Sequence, residues 1–263
     1  MFDYGKKTHI MGILNVTPDS FSDGGSYTNL EDALNHAKKM IDEGADIIDL
    51  GGESTRPGHK KVDADEELKR VLPVVKALKE NLDVKVSIDT YKAEVANESL
   101  KLGADLINDI WGLRKDPKMA NTIAKYNAYV CIMHNQDGTD YDKDIMECIK
   151  EFLIESIKIA KDAGISDEKI ILDPGIGFGK TFEQNIEVMS RLGELKELGY
   201  PILLGTSRKS MIGNILNLEP KDRVEGTIAT TVIGIKDGVD IVRVHDVLEN
   251  LRAIKVADAI YRK

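Results

Sequence analysis

A short apolar, β-branched run followed by an amphipathic helical stretch recurs along the whole chain. The runs are Thr8–Val16, Ala45–Gly52, Lys85–Thr90, Asp105–Ile110, Ala128–His134, Lys169–Gly175, Pro201–Ser207 and Val239–His245. Each is bounded by glycine or polar residues, as strands buried on both faces are. The stretches between them have helical spacing. In the first, Leu30, Ala33, Leu34, Ala37, Met40 and Ile41 share one face, and Gly44 is placed to stop the helix. Within Asp144–Ala163 the pattern repeats with Ile145, Ile149, Phe152, Leu153, Ile157 and Ala160, ahead of Gly164. Pro73 interrupts the second stretch, so a kink or a break is expected there. Eight strand–helix units predict an α/β fold, a (β/α)8 TIM barrel spanning residues 1–263 as one domain. A doubly wound open sheet is the alternative.

Composition narrows the partners more than the fold. A chain of 263 residues admits two ordinary domains or one large barrel. No apolar run approaches the roughly 18 residues that a bilayer span needs, so no membrane partner is expected. The N-terminal segment has no apolar stretch ahead of a small-residue cleavage site, so no secretory signal is read there. Cys131 and Cys148 lie far apart and read as reduced packing residues, which points to the cytoplasm. The net charge of −9 argues against nucleic acid as a partner. An anionic substrate would need a local cationic pocket working against that overall charge.

In a barrel the chemistry sits at the carboxyl ends of the strands. Nearly every polar or ionisable residue inside an apolar run lies at that end. Helix capping explains Thr90, Asp246 and Ser207, but not Arg243, His245 or Lys209. Arg243 and His245 alternate with Val242 and Val244, so both point to one side. Strands 7 and 8 are where barrels commonly hold phosphate, and Arg with Lys suits an anion. A structural hydrogen bond is the plainer reading of His245. Asp89 and Asp173 end strands 3 and 6, with Asn108 on strand 4. This set suits the amidine-like edge of a guanine or pterin ring; general acid/base groups or metal ligands are the alternatives. Gly-Ile-Gly-Phe-Gly-Lys (175–180) reads as a phosphate cradle, or as glycines that let backbone approach a ligand. The Gly-, Ser- and Thr-rich loops after strands 1 and 2 read as lids over the mouth, or as plain surface irregularity.

These residues resemble the dihydropteroate synthase family. The resemblance runs through Ile13–Asp23, Gly51–Gly58, Asp173–Lys180, Ser207–Ser210 and Arg243–Asp246, in family order and over nearly the whole chain. It departs after strand 5, where Met133-His134-Asn135-Gln136 replaces a common Met-His-Met run. It implies transfer of a pterin-methyl group from pterin diphosphate to 4-aminobenzoate, in folate synthesis, by a dissociative displacement. It also implies that Asn15 helps hold Mg²⁺ and that Thr55 and Arg56 contact substrate from the second loop, with Pro57 beside them. Asp89, Asn108, Asp173 and Lys209 are then the pterin pocket, and Arg243 and His245 the diphosphate site. Ser207, Phe178 and Phe21 lie near the aminobenzoate, where sulfonamides bind in the family. Asp89, Asp173, Lys209 and Arg243 are the expected catalytic set. A homodimer is implied, through the outer faces of the last two helical units. The rivals are a pterin-binding methyltetrahydrofolate methyltransferase, which would need no diphosphate site, and a catalytically silent barrel paralogue, which would show broken motifs.

Overall fold

A computed structural model describes residues 3–16, 26–53 and 61–262, the side chains of 26–29 excepted. Among them are eight strands: β1 (His9–Asn15), β2 (Ile47–Gly51), β3 (Lys85–Asp89), β4 (Leu106–Asp109), β5 (Tyr129–Met133), β6 (Ile170–Asp173), β7 (Leu203–Leu204) and β8 (Ile241–Val244). All pair in parallel, in the order β6-β5-β4-β3-β2-β1-β8-β7. A parallel bridge from Leu172 to Ile202 joins the two edges and closes the barrel. The open-sheet alternative is thereby set aside, and every predicted run holds its strand.

The helices that follow are α1 (Ser26–Asp42), α2 (Ala64–Asn81), α3 (Ala93–Lys101), α4 (Met119–Lys125), α5 (Ile145–Asp162), α6 (Phe182–Ser190), α7 (Ser210–Leu216), α8 (Val224–Lys236) and α9 (Val247–Tyr261). Ala33, Ala37 and Met40 are buried against the sheet, and Gly44 takes φ 106° just past the end of α1. The Asp144 carboxylate caps α5 by accepting from Met146 N and Glu147 N. No break occurs at Pro73. α2 runs through it, with Val71, Val74 and Val75 buried around it. One missing N–H is outweighed by that burial, at roughly 1.5–3 kcal/mol per side chain.

Two apolar layers hold the molecule together. The outer one joins strands and helices. The inner one is a plug of Met11, Ile47, Leu106, Cys131, Ile171, Leu203 and Ile241 at the bottom of the barrel. Side chains two apart on a strand share a face. The next inward residues above the plug are therefore Ile13, Asp49, Asn108, Met133, Asp173, Gly205 and Arg243. A polar layer thus lies directly on an apolar floor.

Candidate active site

Strand stagger decides who meets in that layer. Arg243 is in register with Met11, Asp49 with Ile13, and Asp89 with Asn108. Strands in a barrel tilt about its axis, so residues from different register lines arrive at one height. Arg243 Nε donates to Asp49 Oδ2 at 2.6 Å, and its Nη2 donates to Asp89 Oδ2 at 2.8 Å. Asn108 Nδ2 donates to the same Asp49 oxygen at 3.3 Å. One guanidinium thus ties two carboxylates together at the centre of the barrel.

The remaining polar atoms of this layer face inward. Asp49 Oδ1, Asp89 Oδ1, Asn108 Oδ1 and Ser87 Oγ are buried and make no hydrogen bond among the described residues. Buried oxygens of this kind are costly without a donor. The three carboxylate and amide oxygens among them can accept from a donor-rich ligand edge, and the Ser87 hydroxyl can donate or accept. Asp173 is also buried, with Oδ1 accepting from Gly175 N at 2.7 Å.

Charge follows burial. Burial pushes the Asp89 carboxyl up, to about 7, with Arg243 pulling down and Asp49 pushing up again. Burial raises Asp173 too, against the pull of Lys209. Burial lowers Lys209 to about 8 although Asp173 faces it. Arg243 is raised: burial disfavours its charge, but Asp49 and Asp89 more than offset that. The layer therefore pairs carboxylates that resist ionisation with cations that draw them back to it, a pattern common at functional sites.

Lys209 enters from the turn after β7. Its Nζ donates to Ile176 O at 2.5 Å and lies 4.7 Å from the centre of the Phe178 ring. A Cβ placed on Gly205 would meet Lys209 Nζ at 3.8 Å and Arg243 Cδ at 3.9 Å, so the two cations share one wall. The turn is held by Arg208, which takes φ 57°. Such a conformation costs of order 1–3 kcal/mol and is held from several sides. The Arg208 N–H donates to Thr227 Oγ1, its carbonyl accepts from Arg223, and its guanidinium grips both oxygens of Asp246. Asp246 makes no side-chain cap to α9, contrary to the capping reading. Ser207 does not cap either: its Oγ lies 2.9 Å from His245 Nδ1 and accepts from His245 N. Thr90 does serve a local turn, accepting from Lys92 N.

The glycines of 175–180 are needed by the chain itself. A Cβ at Gly175 would stand 1.9 Å from His134 O, and one at Gly179 would stand 2.7 Å from Gln136. Gly175 and Gly179 therefore accommodate the loop after β5, while a Cβ at Gly177 would meet Lys209 Cδ at 3.2 Å.

Asn15 ends β1 beside Gly51, where a Cβ would stand 3.2 Å from its Oδ1. Among the described residues no three His, Cys, Asp or Glu side chains come together as a metal site. One neutral amide oxygen suits a metal that arrives on phosphate oxygens and keeps its waters, as Mg²⁺ does. Thr55, Arg56, Pro57 and Phe21 lie outside the described residues. Asp49 was missed by reading strand ends, although a carboxylate inside Ile47-Ile48-Asp49-Leu50 was a visible signal. Lys180 and His134, paired beneath the 175–180 turn, were passed over as well.

The sequence pattern of the pterin-binding enzymes matches residues 11–245. The dihydropteroate synthase of Clostridium beijerinckii is 63% identical over 263 residues, 100% of this chain and 97% of that protein. A crystal structure of the dihydropteroate synthase of Clostridium difficile, determined in the presence of pteroic acid, superposes with a TM-score of 0.99 at 71% identity over 100% of both chains. That of Xanthomonas albilineans with 4-aminobenzoic acid gives 0.93 at 40% identity, over 97% of this chain and 94% of that one. The chain belongs to the dihydropteroate synthase family of pterin-binding enzymes.

Proposed function

We propose that this chain joins the 7,8-dihydropterin-6-ylmethyl group of its diphosphate to 4-aminobenzoate, giving 7,8-dihydropteroate and diphosphate. The observation that carries the reading is the polar layer on the apolar floor. The inward acceptors of Asp89 and Asn108 stand beside Asp173, and Arg243 and Lys209 share the adjoining wall. A flat ring with an N–H edge satisfies the first set beside Lys209, and Arg243 suits a phosphate tail. The ligands named for the Clostridium difficile and Xanthomonas albilineans enzymes support the same substrate pair here.

In this reading Asp89, Asn108, Asp173 and Lys209 hold the pterin. Arg243 and His245 face the diphosphate together with Thr55. Phe178, Ser207 and Arg56 flank the aminobenzoate, a pocket open to competing sulfonamides. Asn15 Oδ1 would hold Mg²⁺ together with diphosphate oxygens, and the bound ion supplies charge neutralisation to the leaving group. The bond from the pterin CH₂ to the diphosphate oxygen breaks, its electron pair leaving with diphosphate. The positive charge left on the ring is stabilised by ionised Asp89 and Asp173. The amine lone pair then attacks the CH₂, and the nitrogen releases a proton to solvent. An aromatic amine is a weak base, so no strong general base is required.

We extend the reading to the whole chain, residues 1–263, as one barrel domain. Free Cys131 and Cys148 support a reducing, cytoplasmic location. Among the described residues no helix is long and apolar enough to cross a membrane. Of ten exposed large hydrophobic residues described, seven lie on or beside α7, α8 and α9: Ile215, Leu216, Leu218, Ile233, Val256, Ile260 and Tyr261. That apolar face supports a homodimer through the last helices.

The test is diphosphate release by rapid quench, omitting pterin diphosphate, 4-aminobenzoate and Mg²⁺ in turn. No release with all three present overturns the reaction. Release that always waits for 4-aminobenzoate overturns the dissociative order.

A further inference from the structure

The turn after β6 is built around its own lysine. Gly175 O and Phe178 O each accept from Lys180 Nζ at 3.0 Å, and His134 Nδ1 lies 2.9 Å from the same nitrogen. An ammonium has three N–H groups and no lone pair. In that protonated form the ring nitrogen is the acceptor, and all three donors are used. Burial, reinforced by Lys180 and Arg114, drives the His134 imidazole down to about 2, so it is neutral and has a lone pair to offer. The Lys180 side chain is itself buried. Burial draws its pKa down to about 7, with Asp173 pulling it up and Lys209 pushing it down. A buried ammonium is tolerated only when its donors are met.

The turn needs such a hold. Gly175, Gly177 and Gly179 all have positive φ, and glycine gives a loop little reason to keep one shape. Other bonds help: Gly177 N donates to Asn185 Oδ1 at 2.6 Å, and Tyr141 OH donates to Gly179 O at 2.9 Å. Phe178 N also donates to Gly175 O at 3.1 Å, and Lys180 adds a side-chain tie from the Gly175 and Phe178 carbonyls to His134. Phe178 is half-buried and carries the Lys209 ammonium over its ring.

We infer that Lys180 is a positioning residue for the aromatic amine: its ammonium, closed onto Gly175 O, Phe178 O and His134, holds the turn that sets Phe178 beside Lys209. The inference rests on the reading of Phe178 as a wall of the 4-aminobenzoate pocket. Lys180 acts through that wall.

The experiment compares Lys180→Met, His134→Leu, His134→Asn and Phe178→Leu by steady-state kinetics in both substrates, with amide hydrogen exchange over residues 176–179. Lys180→Met and His134→Leu are expected to raise KM for 4-aminobenzoate about tenfold, as loss of a buried charge-assisted bond does. Their KM for pterin diphosphate rises less, since Asp173 sits at the end of β6 and not in the turn. His134→Asn keeps an acceptor near the Nδ1 position and stays close to wild type. Exchange over 176–179 quickens in the first two variants. If exchange is unchanged, or both KM values rise together, the inference is overturned. If Phe178→Leu leaves KM for 4-aminobenzoate unchanged while exchange still quickens in Lys180→Met, the placement of Phe178 fails and the hold of Lys180 stands. Should Lys180→Met not fold, the pair His134→Leu and His134→Asn decides the same question.

Discussion

Asp49 carries the sharpest test of the polar layer. Its side chain is 0% exposed, and its Oδ2 takes both Arg243 Nε and Asn108 Nδ2. Asp49→Asn keeps the shape and an oxygen but removes the charge. A hydrogen bond to a charged group contributes about 1.5–3 kcal/mol. Arg243 keeps Asp89 through Nη2, so the lower part of that range applies, about 2 kcal/mol. In a chain of this size that lowers Tm by about 4–8 °C. Expressed instead in the transition state, it lowers kcat/KM for pterin diphosphate by roughly 30-fold. A second readout depends on sign. Asp49 is a like charge that helps push Asp89 up to about 7. Its neutralisation lets the Asp89 carboxyl fall, so Asp89 stays ionised to lower pH. The acid limb of kcat/KM, which reports the free enzyme, then moves to lower pH. The assay is initial diphosphate release from pH 5.5 to 9, as about the usable range, beside a thermal melt. Wild-type kcat/KM together with an acid limb that stays put or moves up would refute the reasoning.

Arg243→Ala leaves Asp49 and Asp89 buried without their shared cation, which costs about 3–5 kcal/mol of stability. It should also weaken pterin diphosphate more than the bare pterin in calorimetry; equal losses argue against an anion role. Lys209, drawn down to about 8 by burial, is protonated below that pH and loses its charge above it. Wild-type kcat/KM should therefore fall on the alkaline side of about 8, and Lys209→Met should be slower and lack that limb; a limb that persists excludes Lys209 as its source. Val256→Glu with Ile260→Glu places charge on the apolar face of α9. Sedimentation should then report a dimer for the wild type and a monomer for the variant, and a variant that stays dimeric places the interface elsewhere.

The sequence by itself determined the eight strands, the helices between them and the barrel. Each is written in local spacing: β-branched runs a few residues long, helical faces such as Ala33, Ala37 and Met40, and stops such as Gly44. It also placed Asp89, Asn108, Asp173 and Arg243 at strand ends, because polar residues interrupt apolar runs visibly there. Only the tertiary structure decided which of them meet. Arg243 reaches Asp49 and Asp89 because tilt and stagger bring three register lines to one height, and no spacing within one strand encodes that. The same closure revealed Asp49 as a member of the layer, not a stray polar residue inside a strand. It showed Gly175 and Gly179 pressed against His134 and Gln136, since close approach of distant backbone is settled only when β5 and β6 pair. It also turned Asp246 from a helix cap into the grip on Arg208. Pro73 was legible as a helix disruptor, but burial of Val71, Val74 and Val75, which exists only in the packed molecule, outweighs it.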